Sequence, residues 1–240
     1  MDLTMNKMTI VPDVHGRQFW RKAVEDPERG MVVFLGDYMD MYPVDGIFYR
    51  EALANFDEII SLKKSDPDNV VLLLGNHDIS YWTNREWARV RYDRYHNKEI
   101  SARFCDNRDL FQLAYQKQIG GRRYLFSHAG ISRPFLERCG VNESEENLAE
   151  ILNGKFNEDS EDFFKALAMI SWWRGGSDEF GSMVWADVNE YGLCGEDLVG
   201  DYQIFGHTWL ERPLITERFA CLDCCNAFSL EDNNILEQND

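Results

Sequence analysis

The chain has no run of apolar residues approaching the roughly 18 that cross a bilayer as a helix. Its opening, MDLTMNKM, lacks the apolar stretch of a secretory signal. With neither anchor nor leader in view, a cytoplasmic protein is the expectation. Positive charge is scarce as well: 25 Lys and Arg stand against 42 Asp and Glu, a formal net charge of -17. So negative a field opposes generic binding to nucleic acid and to anionic membranes, because both require phosphate charge to be offset. It remains compatible with phosphate chemistry where bound divalent cations supply local positive charge. There is no internal repeat, low-complexity tract or Pro/Gly-rich linker. Residues 1–240 therefore read as one domain, long enough for a well-buried core. The six cysteines lack the paired short spacing of a structural zinc site; only Cys221, Cys224 and Cys225 cluster. They read as thiols in or beside a strand, in a reducing compartment.

What the chain does have is a set of short glycine-flanked motifs that contain four of its five histidines. They are PDVHG at 12–16, GDYMD at 36–40, GNHD at 75–78, SHAG at 127–130 and GHT at 206–208. Each follows an apolar run of strand length, at residues 8–11, 32–35, 70–74, 124–126 and 204–205. An apolar run that stops abruptly in glycine and ligand-type side chains reads as a buried strand with a site at its carboxyl end.

The first third alternates strand and helix, which predicts right-handed βαβ units and a mainly parallel core, an α/β (α+β) fold. Residues 47–64 place Phe48, Ala52, Phe56, Ile59 and Ile60 at near-helical spacing, with Asp45 available as a cap. Asp66-Pro67-Asp68-Asn69 reads as a turn. Segments 79–118 and 133–173 are mostly helical in pattern and too long for plain connections; they read as helical insertions beside the active face. From Asp201 onward the pattern is of short strands, with Asn233-Asn234 suited to a hairpin turn. The last residues, Gln238-Asn239-Asp240, are expected to fray.

Two cations held close together need several oxygen and nitrogen ligands, one of them a bridging carboxylate. Asp13 and His15, two apart on an irregular turn, can face one ion. Asp37 ends the next strand and is the natural bridge. Asn76 offers an amide oxygen, and His128 and His207 offer imidazoles. No cysteine is among them, which points to Mn²⁺, Fe or Zn²⁺ with open water positions. Singly, each has a blander role, an Asp as helix cap or a His as structural residue. Their recurrence after five strands favours the metal reading.

These residues resemble the calcineurin-like metallophosphoesterases, whose pattern is D-x-H, G-D, G-N-H-D/E, H and a late G-H. The likeness spans nearly the whole chain. The late motif, Gly206-His207-Thr208-Trp209, has no second histidine. With His128-Ala129-Gly130 it is similar to the bacterial and phage-type members of the phosphoprotein (serine/threonine) phosphatase branch. The resemblance implies a four-layer β-sandwich of mixed sheets flanked by helices. It implies Asp13, His15 and Asp37 on one ion, and Asp37, Asn76, His128 and His207 on the other, with a bridging hydroxide attacking phosphorus. It also implies that His77 is no ligand but pairs with Asp40 and protonates the leaving group, a pairing that favours the protonated ring. Asp78 reads as a structural turn residue.

The chain departs from that branch at Pro12, where a glycine is usual, and at Leu222-Asp223-Cys224-Cys225, where an Asp-Thr-Gly strand is usual. It departs also after Asp40, where Met41-Tyr42-Pro43 replaces an Arg-Gly whose arginine grips phosphate. Two roles suit Arg174, in Trp172-Trp173-Arg174-Gly175-Gly176: a replacement phosphate clamp, or a surface arginine stacked on its tryptophans. Arg85, Arg89, Arg91 and Arg94 could capture an anionic substrate or lie on a helix paired with acids. His96 reads as solvated. The overall reading is a metal-dependent phosphomonoesterase acting on a phosphoprotein or small phosphate ester. The alternatives are a dinucleoside polyphosphate hydrolase, from His-Ala-Gly-Ile at 128–131, another nucleotide phosphohydrolase or phosphodiesterase, and a non-catalytic scaffold.

Overall fold

The computed structural model describes residues 7–238. Leu113–Cys224 form one compact unit, and the described residues on either side of that segment form the other.

In the unit that opens the chain, β1 (Lys7–Val11), α1 (Trp20–Glu25), β2 (Met31–Phe34), α2 (Tyr49–Ser65), β3 (Val70–Leu73), α3 (Asn76–Trp82), α4 (Asn97–Asp106) and β4 (Phe111–Gln112) follow one another. The four strands pair in parallel in that order. Every residue of β3, and all but the first of β1 and β2, is buried. Strands apolar on both faces are what a parallel sheet beneath helices requires. Helix α2 packs on β3 and buries Ala52, Leu53, Phe56, Ile59 and Ile60, one stripe of a 3.6-residue period.

Asp45 is not the cap of α2. It closes a tight turn, Pro43–Asp45, which Gly46 ends at φ +66°, and it pairs with Arg17 at 2.8 Å. A glycine in the left-handed region stops a helix, so α2 starts afresh at Tyr49, where the Glu51 carboxylate accepts the Phe48 N–H at 2.9 Å. Residues 66–69 do form the expected turn.

The other unit comprises β5 (Ala114–Ile119), β6 (Arg122–Ser127), α5 (Arg133–Arg138), α6 (Leu148–Asn157), α7 (Glu161–Leu167), β7 (Tyr202–Phe205), β8 (Leu214–Ile215) and β9 (Phe219–Cys221). Its sheet runs β5-β6-β7-β9-β8. The central three strands are parallel and the two edges antiparallel. Asn153 of α6 ties helix to sheet: its amide accepts the Leu113 and Ala114 N–H groups and donates to the Ala114 carbonyl.

Segment 133–173 is helical, as expected, through α5, α6 and α7. Segment 79–118 is helical only in part. Residues 83–96 are turns and irregular chain, and strands begin at Phe111. Between 83 and 96 the arginines leave no apolar stripe for a helix to bury. Gly120 and Gly121, at φ +55° and +83°, close a two-residue hairpin between β5 and β6, a turn glycine makes without strain.

The chain then returns to the first sheet. There β10 (Phe228–Glu231) lies antiparallel to β1, and β11 (Asn234–Glu237) lies outside it. Their turn is Asp232-Asn233, with φ +46° and +68°, one residue before the expected pair. Both central residues must be left-handed in such a turn, and Asn234 is used instead to pair with Glu231. Residues 239 and 240, in the end expected to fray, lie outside those described. Two mixed sheets flanked by helices are thus the α/β class the sequence predicts. Among the described residues no helix is long and apolar enough to cross a membrane.

Candidate functional site

In the first unit the candidate residues gather where the parallel strands end. Asp13 and His15 follow β1, Asp37 and Asp40 follow β2, and Asn76 and His77 open α3 after β3. All six are buried, none more than 6% exposed. Glycines allow the loops to close. A Cβ on Gly75 would sit 2.1 Å from Asp37 Oδ1, so no other residue fits there. Asp78 ties the same loops together by accepting the N–H groups of Gly75, Asp37 and Tyr38 at 2.8, 2.7 and 3.0 Å. That is the structural turn role read from the sequence. His15, Asp37 and Asp40 have φ of +45°, +54° and +61°. Non-glycine residues held there cost on the order of 1–3 kcal/mol each, a strain that clusters at functional sites.

His15 Nδ1–H donates to the Met39 carbonyl at 2.9 Å, which leaves Nε2 bare, 3.5 Å from Asp37 Oδ2. Burial, and after it the charge of His77, holds His15 well below the ordinary histidine range, so the ring is neutral, as a ligand must be. Burial raises the Asp37 carboxyl well above the usual range, and the neighbouring Asp13 charge adds to this. Carboxylate oxygens of Asp13 and Asp37 lie within 4.8 Å of each other. Burial beside another carboxylate disfavours the ionised form of Asp37, and a bound cation would reverse that preference. The donor set therefore fits a divalent metal.

His77 Nδ1 lies 2.6 Å from Asp40 Oδ2. Tyr81, one turn along α3, donates its hydroxyl to Asp40 Oδ1. Burial pushes Asp40 up to about 7, against the pull of the Tyr81 hydrogen bond and the Arg91 charge.

In the second unit His128 follows β6 and His207 follows β7, again at the ends of parallel strands, and both are buried. His207 also has a positive φ, +64°. The Gly206 N–H donates to the His128 carbonyl at 2.8 Å. His128 Nε2 and His207 Nδ1 face each other at 3.1 Å, a spacing that two nitrogens each about 2.0–2.1 Å from one ion readily adopt. Arg174 lies against this pair. Its Nε–H and Nη2–H donate to His207 Nε2 at 3.1 and 2.8 Å, and Nη2–H donates to the His207 carbonyl at 2.9 Å. Trp172 and Trp173 stack on each other, ring centroids 4.2 Å apart, while the guanidinium goes to His207.

Three neighbours went unread in the sequence: Tyr81 on Asp40, Trp185 edge-on to His207 at 5.7 Å, and Asp187 with Oδ2 3.5 Å from Arg174 Nη1. Only Tyr81 had a usable signal, one helical turn after His77. Arg94 forks onto Glu86 at 2.9 and 2.7 Å, as the reading of paired acids has it. His96 is not simply solvated: it stacks on Tyr49 at 3.6 Å and pairs with Asp93 at 2.7 Å.

The sequence profile of the calcineurin-like phosphoesterases matches residues 7–209, and the chain belongs to that family. It is accordingly a metal-dependent phosphoesterase, and the buried Asp and His side chains fit that chemistry. Its fold is similar to that of a cold-active protein-tyrosine phosphatase from a psychrophilic Shewanella, 17% identical with a TM-score of 0.59 over 97% of this chain and 77% of that one. It is similar also to a protein serine/threonine phosphatase from Saccharomyces cerevisiae, 15% identical with a TM-score of 0.56 over 98% and 79%. No curated protein matches the chain in sequence.

Proposed function

We propose that the chain hydrolyses phosphate monoesters with two divalent cations, manganese foremost and iron or zinc as alternatives. Asp13, His15, Asp37, Asn76, His128 and His207 would hold them, with Asp37 shared. The observation that carries this reading is the pair of buried donor sets at the ends of parallel strands: Asp13 with Asp37, and His128 facing His207 at 3.1 Å. When bound, such ions supply positive charge to the phosphoryl oxygens and lower the pKa of water. The chain's own groups do the rest. Asp40, gripped by Tyr81, aims His77 and favours its charged form, the state that gives a proton to a departing alkoxide. Arg174 offers a planar fork for two phosphate oxygens.

The two structural relatives are named as phosphatases of protein tyrosine and of protein serine/threonine, which supports a phosphomonoester on a protein side chain over a dinucleoside polyphosphate. The acidic charge and the cysteine usage support a cytoplasmic location. Elemental analysis with a substrate panel tests the reading. Two ions per chain are expected, with turnover of p-nitrophenyl phosphate and phosphopeptides well above that of bis-p-nitrophenyl phosphate and of a dinucleoside tetraphosphate. A chain that binds no metal, or that prefers the diester or the dinucleotide, refutes it.

A further inference from the structure

We propose that Arg91 is a phosphate-binding residue of this site, delivered by the irregular segment 83–96. The inference rests on the phosphomonoesterase reading and adds a substrate contact to it. Met41 follows Asp40 directly, and the ring of Tyr42 holds the Arg91 guanidinium, 3.7 Å from the ring centroid. Arg91 Nη2–H and Nε–H donate to the Asp40 carbonyl at 2.7 and 3.3 Å, and Nη2 lies 3.5 Å from His15 Nδ1. The guanidinium thus stands beside both a candidate ligand and the Asp40–His77 pair.

Its partners are what set it apart. In a chain with 42 acidic residues, Arg91 forms no ion pair among the described residues. Arg94, three positions on, is spent on Glu86, and Arg17, whose guanidinium also faces the Tyr42 ring, is spent on Asp45. Arg91 is held instead by a carbonyl and a ring face. Such contacts fix the plane of the guanidinium without neutralising it. The residue is exposed at the protein surface, and it lines a cavity of about 140 Å³ with Asp40, Tyr49 and Asp93. A charged, oriented and unneutralised fork at the rim of a buried metal-type site suits a dianionic phosphate, whose charge the neighbouring acids would otherwise repel.

The competing account is electrostatic relief, with Arg91 present only to offset Asp37 and Asp40. Equilibrium binding of inorganic phosphate to the manganese-loaded chain separates the two. Arg91→Ala is expected to weaken phosphate binding tenfold to a hundredfold, about the loss of one or two charged hydrogen bonds, with manganese stoichiometry unchanged. Arg91→Lys, which keeps the charge but not the fork, should fall between, and it carries the test should the alanine variant fail to fold. Equal phosphate affinities, or a variant altered only in melting temperature or manganese affinity, overturn the proposal, as does a wild-type chain that binds no phosphate. Turnover of p-nitrophenyl phosphate by the wild type is measured separately, so the phosphoesterase reading stands or falls on its own result.

Discussion

At the scale of single residues, the strain and the protonation states mark the chemistry. Of the ten non-glycine residues with positive φ among the described residues, four are His15, Asp37, Asp40 and His207. Their types and glycine neighbours were legible in the sequence, because a ligand set has few chemical alternatives. Arg91 was legible only as one of four arginines, since what distinguishes it from Arg94 is the Tyr42 ring, a contact between segments that no spacing rule reports. His77→Ala is expected to leave metal content intact and to lower turnover by roughly 10²–10⁴, the usual loss of a general acid. The loss should shrink for p-nitrophenyl phosphate, whose leaving group needs little protonation. If one metal disappears from that variant, His77 is a ligand and the assignment fails. Arg174 follows from a tautomer argument. As it stands, the guanidinium donates to His207 Nε2, so the proton of the neutral ring sits on Nδ1. Were His207 to give Nδ1 to a cation, its proton would have to sit on Nε2, facing the guanidinium N–H donors. Two donors cannot share that contact, so the fork would be freed for an anion. Arg174→Ala should then lower kcat/KM by about 1–3 kcal/mol of transition-state stabilisation with metal binding unchanged; unchanged kinetics would place the clamp elsewhere.

At the scale of elements, the buried strands were the legible part. β1, β2 and β3 are near-continuous apolar runs, and such runs have few other uses where no described helix is long and apolar enough to cross a membrane. What misled was local. Asp45 is a good capping residue, but Pro43 and Gly46 had already committed the chain to a separate turn. β5 went unseen because Tyr115-Gln116-Lys117-Gln118 is polar for a strand, and at an edge only its partner and its burial pattern define it. The Gly120-Gly121 pair was the available signal. The loops that carry the proposed ligands are held by contact between elements, and this makes a further expectation. Gly75→Ala would drive a methyl group into Asp37 Oδ1 and separate the ends of β2 and β3. Overpacking of this kind costs typically 1–3 kcal/mol, so the variant should melt lower and bind manganese at least tenfold more weakly. Normal metal affinity in a folded Gly75→Ala chain would show that the glycine is there for another reason.

For the whole molecule, the balance of 42 acids against 25 bases gives the bound cations a thermodynamic role besides a chemical one. Ions that bind only the folded chain stabilise it by mass action, about 2.7 kcal/mol for one site at a hundred times its dissociation constant. Chelation should therefore lower the melting temperature by several degrees, at roughly 2–4 °C per kcal/mol for a chain of this size. The size of that drop should depend on pH, and Asp40 gives the sign. Its folded pKa is raised to about 7, well above the usual carboxylate range, because burial disfavours the charged form. A group raised on folding contributes its stability below the unfolded value and loses it as pH rises through the folded value. Between pH 4 and 7 the chelated wild type should accordingly lose on the order of 2–4 kcal/mol through Asp40 alone. Asp40→Asn cannot ionise, so the difference in unfolding free energy between wild type and variant, both in chelator, should move across that window in favour of the variant. A difference that stays flat from pH 4 to 7 would mean that Asp40 is ionised throughout, held so by a charged His77, and that the pair stores its proton on the histidine even without metal.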